Sequence, residues 1–151
     1  MTRYSRRMAR LRPGWFVVLC AAVLLVSAWL PWLVTGADGG GRANAIGGRN
    51  GSIGVPPDGF GVGQLVVILS STLIVAAAMA ARGLSARIAS TVALAISVLI
   101  AVMVAFYYRL YVASPVAAGY GLYLGAAVTV AAVVLSVLAM VTAWSDSGRR
   151  R

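Results

Sequence analysis

The chain has 151 residues, of which 61% are hydrophobic and only 11% are charged, and its formal net charge is +10. Soluble domains are about half apolar and a quarter charged, so charge this sparse cannot cover a water-soluble globule of this size. The composition therefore excludes an ordinary soluble domain and indicates that lipid is the solvent for most of the surface.

Four apolar runs predict four transmembrane helices, because each holds roughly the 20 residues that a helix needs to cross a hydrocarbon core of ~30 Å. The helices are predicted over residues 15–34, 64–81, 88–108 and 122–144, the outer loops over 36–63 and 109–121, and the cytoplasmic tails over 1–14 and 145–151. The predicted fold class is an all-α membrane protein, a single domain over residues 1–151 in which four transmembrane helices form an antiparallel bundle. We expect Pro31 to kink or end the first helix near the outer surface.

The basic residues are thirteen arginines, and their positions decide how the net charge is interpreted. Ten of them flank the predicted cytoplasmic ends of the helices, namely Arg3, Arg6, Arg7, Arg10, Arg12, Arg82, Arg87, Arg149, Arg150 and Arg151. The other three are Arg42, Arg49 and Arg109, in the outer segments. This split predicts a plasma-membrane protein with both termini in the cytoplasm, because cytoplasmic loops carry the excess of arginine and lysine. Anionic lipid headgroups, and not nucleic acid, are the expected partners of the basic ends.

The long outer loop holds eight glycines within residues 36–54. A phosphate-binding loop needs a lysine and a following helix, and a dinucleotide fingerprint needs a preceding strand, so no nucleotide is expected here. Asn50-Gly51 is a strong turn dipeptide between apolar residues. It favours a short β-hairpin over residues 44–55 with Arg49 projecting from its tip.

Small residues recur at every fourth position of the third helix, which is the pattern that lets membrane helices approach closely. The predicted helix-packing interface consists of Ala89, Ala93, Ser97, Ala101 and Ala105, with Thr72 and Ala76 of the second helix and Gly121 and Gly125 of the fourth. A step of four residues turns by ~400°, so the ladder drifts by ~160° over its length and one straight neighbour cannot cover it. We infer two neighbours, an intrachain helix for one half of the ladder and another chain for the other half.

Aromatic residues gather at the predicted ends of the helices, and two interpretations remain open. The first is an aromatic belt at the headgroup level, which includes Trp29 and Trp32 at the outer end. The second is a contact with an external partner through Tyr107, Tyr108, Tyr111 and Tyr120, together with Arg49.

The sequence offers few groups for catalysis or for coupled transport. It contains no histidine and no glutamate, its three aspartates lie outside the apolar runs, and Cys20 is the single cysteine. Small proton-coupled exporters of similar length depend on an acidic residue within the membrane, which would be costly and conspicuous. The chain is therefore expected not to be an enzyme, with no catalytic residue, no cofactor and no metal site.

Two stretches carry a resemblance to known proteins. The segments "WLPWLVTG", residues 29–36, and "GYGLYLG", residues 119–125, resemble the small four-span membrane proteins of mycobacteria and related actinobacteria. That resemblance implies the plasma membrane and supplies no catalytic residue. The order of one helix, a long outer loop and three further helices is also similar to claudin-like tetraspan proteins, whose paired loop cysteines are missing here.

The leading functional hypothesis is a non-enzymatic accessory or stabilising subunit of a larger cell-envelope complex, such as a lipid or metabolite transporter. Its expected partners are other membrane-protein subunits. The alternative is a small oligomeric transporter or channel, and a membrane enzyme ranks last. Co-purification in mild detergent separates these hypotheses, because a stable large partner favours the first and a lone homo-oligomer with substrate flux favours the second.

Overall fold

The structure is a computed structural model that describes residues 12–148. Its elements in chain order are α1 (Pro13–Ser27), β1 (Pro31–Thr35), a short 3-10 turn (Ala37–Gly39), β2 (Gly41–Asn44), β3 (Arg49–Gly51), α2 (Val62–Arg82), α3 (Ala86–Tyr111), β4 (Val116–Ala118) and α4 (Tyr120–Gly148). Seven arginines of the predicted cytoplasmic tails lie outside the described residues, namely Arg3, Arg6, Arg7, Arg10, Arg149, Arg150 and Arg151.

Three of the four predicted spans are long enough to cross a membrane. Helices α2, α3 and α4 have the necessary length and apolar character, whereas α1 is apolar but only 15 residues long. At 1.5 Å per residue, α1 extends for about 22 Å, less than the ~30 Å of a hydrocarbon core. The predicted first helix, residues 15–34, is therefore wrong at its C-terminal end, because α1 ends at Ser27.

Proline explains why α1 stops early. After Ser27 the chain tightens into short-range turns, in which the Leu30 N–H donates to the carbonyl of Ser27 at 3.0 Å. Pro31 has no N–H to continue a helix, and it disfavours helical backbone at Leu30. The residues that follow, "WLVT", are aromatic, apolar or β-branched and suit a strand, so β1 forms where hydropathy alone predicted helix.

The four helices pack in a closed order around a shared core. Helix α1 contacts α2 and α4, and α3 contacts the same two helices. Helices α1 and α3 begin, and α2 and α4 end, at what we call the arginine end, which carries Arg12, Arg82 and Arg87. There the Arg12 Nη1 donates to the carbonyl of Ala81 at 3.3 Å, and the guanidinium of Arg87 lies 5.2 Å from the ring centre of Trp144.

The opposite end, which we call the sheet end, carries an antiparallel sheet in the order β3-β2-β1-β4. The chain is mostly helical, as predicted, and the first outer loop carries a hairpin; the strands β1 and β4 were not predicted. Strand β1 is central and pairs with β2 from the first loop and with β4 from the second. The sheet therefore joins segments that are about eighty residues apart in the sequence, as in the pair Val34–Ala117.

The glycine-rich loop contains a hairpin, but its turn is not where the sequence predicted it. Strands β2 and β3 are connected through residues 45–48, and Asn50 lies within β3 opposite Arg42. The Asn44 side chain holds the turn by accepting from the Gly48 N–H at 2.7 Å. Gly47 supplies the positive φ, +103°, that such a tight connection needs.

The small-residue ladder of α3 leaves the core halfway along the helix. Ala89, Ala93 and Ser97 are buried, but Ala101 is half-buried and Ala105 is exposed. The buried line continues instead through Ile100, Val104 and Tyr107. Three residues turn by ~300°, which is ~60° short of a full turn, and four residues turn by ~400°, which is ~40° beyond it. Alternating steps of three and four therefore keep the buried side chains on one face of the helix.

The remaining predicted packing residues divide in the same way. Gly121, Gly125 and Ala76 are buried, whereas Thr72 is exposed and its hydroxyl donates to the carbonyl of Ile68 at 3.0 Å. The exposed members of the predicted interface therefore have no packing role within this chain.

Leucine substitutions on neighbouring positions of α3 test this assignment. Ser97 is fully buried and Val98 is 45% exposed. Because overpacking a filled core costs roughly 1–3 kcal/mol, Ser97→Leu should lower the melting temperature and the yield of folded monomer after mild detergent extraction. The melting temperature and the yield of Ala101→Leu should lie between those of the wild type and those of Ser97→Leu. Val98→Leu is the matched control and should behave as wild type, and equal recovery of all three variants would contradict the assignment.

Candidate functional site at the sheet end

The centre of the sheet end is the side chain of Trp32 in β1. It is 0% exposed, and its indole Nε1 donates to the carbonyl of Ser27 at 2.8 Å. Its ring system packs edge to face with Tyr107 of α3, with ring centres 5.1 Å apart and planes at 88°. Trp32 thereby connects the sheet to both α1 and α3. The sequence placed this residue in an aromatic belt, and the structure places it in the core.

A β-bulge explains how Trp32 reaches the core. Pro31 pairs with Asn44 and Leu33 pairs with Ala43, so Trp32 is the extra residue in β1. In a regular strand adjacent side chains point to opposite faces, but Trp32 and Leu33 are both fully buried. The bulge re-aims one of the two side chains, which lets consecutive residues enter the same core.

Two glycines of α4 make room for the indole. A Cβ at Gly121 would lie 2.8 Å from the Trp32 Cδ1, and a Cβ at Gly125 would lie 3.0 Å from its Cζ2. We call this pair the glycine notch. The sequence predicted a helix-packing role for both glycines, and Gly125 does lie beside Leu24 of α1. What the spacing did not indicate is that the largest group in the notch comes from a strand.

The turn of the β2–β3 hairpin is seated on the ends of α1 and α2. The Ala45 N–H donates to the carbonyl of Ala28 at 3.1 Å. On the other side, the Ala45 carbonyl lies so close to Gly63 that a Cβ there would overlap it. The side chain of Gln64 completes the seat, since its Nε2 donates to the carbonyl of Ile46 at 2.7 Å and its Oε1 accepts from the Gly61 N–H at 2.5 Å. Sequence reasoning missed this role of Gln64.

Arg49 does not project from a hairpin tip, as the sequence predicted, but binds within the loop. Its guanidinium forms an ion pair with Asp58 and donates to the carbonyl of Gly54 at 3.4 Å. Exposed ion pairs of this kind contribute about 0–1 kcal/mol, so the pair orients the segment that leads into α2 more than it stabilises the fold.

The four tyrosines predicted to contact a partner separate into two groups. Tyr108 and Tyr120 are exposed at the sheet end and remain available to a partner. Tyr107 is 1% exposed, and the half-buried Tyr111 packs on it with ring centres 4.8 Å apart. Tyr107 is therefore a core residue that a partner cannot reach, which corrects the prediction. Its hydroxyl is buried and has no hydrogen-bond partner within the described residues.

The interior of the helices holds only hydroxyl groups as buried polar side chains, in the part of the chain that the structure describes. Besides that of Tyr107, they belong to six serine and threonine residues, namely Ser27, Ser70, Ser90, Ser97, Thr129 and Ser136. Five of the six donate to a carbonyl three or four residues earlier in the same helix, as Ser70 does to Val66 at 2.7 Å and Thr129 does to Gly125 at 2.7 Å. Within residues 12–148, no group of three or more Cys or Asp side chains is placed to hold a metal ion.

Comparison of the chain with protein-family models, with curated proteins and with solved structures found no match. The class of protein is therefore described by its architecture. It combines three long apolar helices, a shorter apolar helix and a small antiparallel sheet that is fixed to one end of the helices.

Removing the indole of Trp32 should loosen the sheet end. Truncation of a buried tryptophan to alanine costs ~3–5 kcal/mol, so Trp32→Ala should sharply reduce the melting temperature and the protease resistance of residues 36–63. Trp29→Ala is the matched control, because Trp29 lies three residues earlier and is 73% exposed. If the two variants were equally stable, Trp32 would not be the residue that fixes the sheet to the helices.

Proposed function

We propose that this chain is an integral protein of the plasma membrane, with both termini in the cytoplasm and the sheet end outside, so that the 15-residue α1 and the apolar residues 28–34 after it together make the first crossing. The outer faces of the long helices support this proposal, because they expose apolar side chains such as Val75, Val102, Val130 and Val141. A contiguous apolar surface of this kind is costly in water and favourable in lipid.

The distribution of charge supports the proposed orientation. Arg12, Arg82 and Arg87 lie at the arginine end without an aspartate in the loop that joins α2 to α3. At the sheet end Arg49 is paired with Asp58. The sequence adds seven further arginines directly before and after the described residues. A large excess of arginine at one end favours that end in the cytoplasm.

Within the membrane we propose a non-enzymatic role as an accessory or stabilising subunit of a larger envelope complex, such as a lipid or metabolite transporter. The observation that carries this proposal is the chemistry of the interior. Five of its six buried serine and threonine hydroxyls donate to carbonyls of their own helices, and within the described residues no charged side chain is buried. A coupled transporter requires such groups, whereas a structural subunit does not.

In this proposal the partner contacts two surfaces of the chain. Tyr108 and Tyr120 offer exposed aromatic rings at the sheet end. On α3, the half-buried Ala101 and the exposed Ala105 continue the small-residue ladder after it leaves the intrachain core. Small side chains let a second helix approach closely. We therefore assign the second neighbour of α3 to a helix of the partner.

The orientation is tested with a reporter that is active only after export. Fused after Arg151, the reporter should be silent, because the proposed C-terminus is cytoplasmic. Fused after Gly63 in a chain truncated there, the same reporter should be active, since it then follows the outer loop. Strong activity after Arg151 would reverse the proposed orientation.

The accessory role is tested by purification from the native membrane in mild detergent. We expect a larger membrane complex to co-purify with the wild-type chain. Ala105→Leu should fold as the wild type does, because Ala105 is exposed, yet should reduce recovery of the complex several-fold. Ala131→Leu, at an exposed alanine of α4, is the control and should not reduce it. Recovery of the chain only as a homo-oligomer that transports a solute would overturn the proposal in favour of a small transporter or channel.

A further inference from the structure

A small cavity lies between the β2–β3 hairpin turn, the start of α2 and the end of α3. Ala45 and Gly47 line it from the hairpin, Gly63 and Gln64 from α2, and Tyr107 from α3. Its free volume is about 10 Å³. A volume of roughly 10–15 Å³ accommodates one water molecule and nothing larger, so the cavity suits a single small occupant.

The first turn of α2, whose N–H groups lack partners within the helix, lies at this cavity. The first N–H groups of a helix have no acceptor within the helix, and in α2 these belong to residues from Val62 onward. Val62, Gly63 and Gln64 all line the cavity. The side-chain amide of Gln64 does not compete for the space, because its Nε2 already donates to the carbonyls of Ile46 and Gly59.

The second observation is the hydroxyl of Tyr107. The residue is 1% exposed, its hydroxyl has no hydrogen-bond partner within the described residues, and the residue lines this same cavity. A buried hydroxyl without a partner is destabilising relative to its hydrated state, and native structures seldom leave one. Here Tyr107 lines a cavity of suitable volume, which the first residues of α2 line as well.

We propose that this cavity is a binding site for one structural water molecule, which accepts a hydrogen bond from the first amides of α2 and pairs with the hydroxyl of Tyr107. The water satisfies groups that would otherwise be buried without partners. It also joins α3 to α2. A water molecule suits this site because it donates as well as accepts, as a phenolic hydroxyl requires.

The test is the variant Tyr107→Phe, which keeps the ring on Trp32 and removes only the hydroxyl. If the water is bound, the variant leaves it with one partner fewer, and the melting temperature should fall by about 2–4 °C. Amide hydrogens of residues 56–64 should also exchange several-fold faster. If the cavity were dry, removal of an unpaired buried hydroxyl would leave the melting temperature unchanged or raise it. The two cases therefore differ in sign.

Tyr108→Phe is the matched control, because Tyr108 is adjacent in sequence and exposed, and it should behave as the wild type. A second measurement does not depend on a variant: a high-resolution experimental map of the wild-type chain should show one water molecule within hydrogen-bond distance of the Tyr107 Oη. An empty cavity, density for a larger ion, or a Tyr107→Phe chain at least as stable as the wild type would each overturn the proposal.

Discussion

The insertion of Trp32 into the glycine notch is the contact on which the rest of the sheet end depends. Its indole N–H donates to the carbonyl of Ser27 at the end of α1, which also accepts from the Leu30 N–H. Its ring fills the space that Gly121 and Gly125 leave in α4. One side chain thereby completes the end of one helix, packs against a second and meets Tyr107 of a third.

The central position of β1 extends the effect of that contact to both loops. Strand β2 pairs with one edge of β1 and β4 pairs with the other, so the backbone beside Trp32 positions both. Ordering a loop rich in glycine costs more backbone entropy than ordering most sequences. Here the cost is offset by the strand ladder, by the burial of Ala43, Ala45 and Ile53, and by the side-chain bonds of Gln64.

The three long helices were predictable from the sequence, whereas the end of α1 and the position of Trp32 were not. Hydropathy identifies α2, α3 and α4 to within a few residues, because a long apolar run has few alternatives. It cannot separate helix from strand where the run continues past Pro31, since both states bury apolar side chains. The Gly121–Gly125 spacing indicates that something approaches α4 closely. Only the folded chain shows that the approaching group is an indole aimed by a bulge.

The contrast between the interior and the sheet end supports the proposed accessory role. Five of the six buried serine and threonine hydroxyls donate within their own helix, whereas the sheet end is held by long-range contacts among strands, helix ends and aromatic rings. A surface that is ordered before binding loses less conformational entropy when a partner arrives. Exposed rings such as Tyr108 and Tyr120, carried at the ends of well-packed helices, are suited to such a contact because aromatic side chains lose few rotamers on burial. In the proposed role, the glycine-rich loop therefore loses its conformational entropy when the chain folds and not when the partner binds. The partner then meets a surface that is already formed.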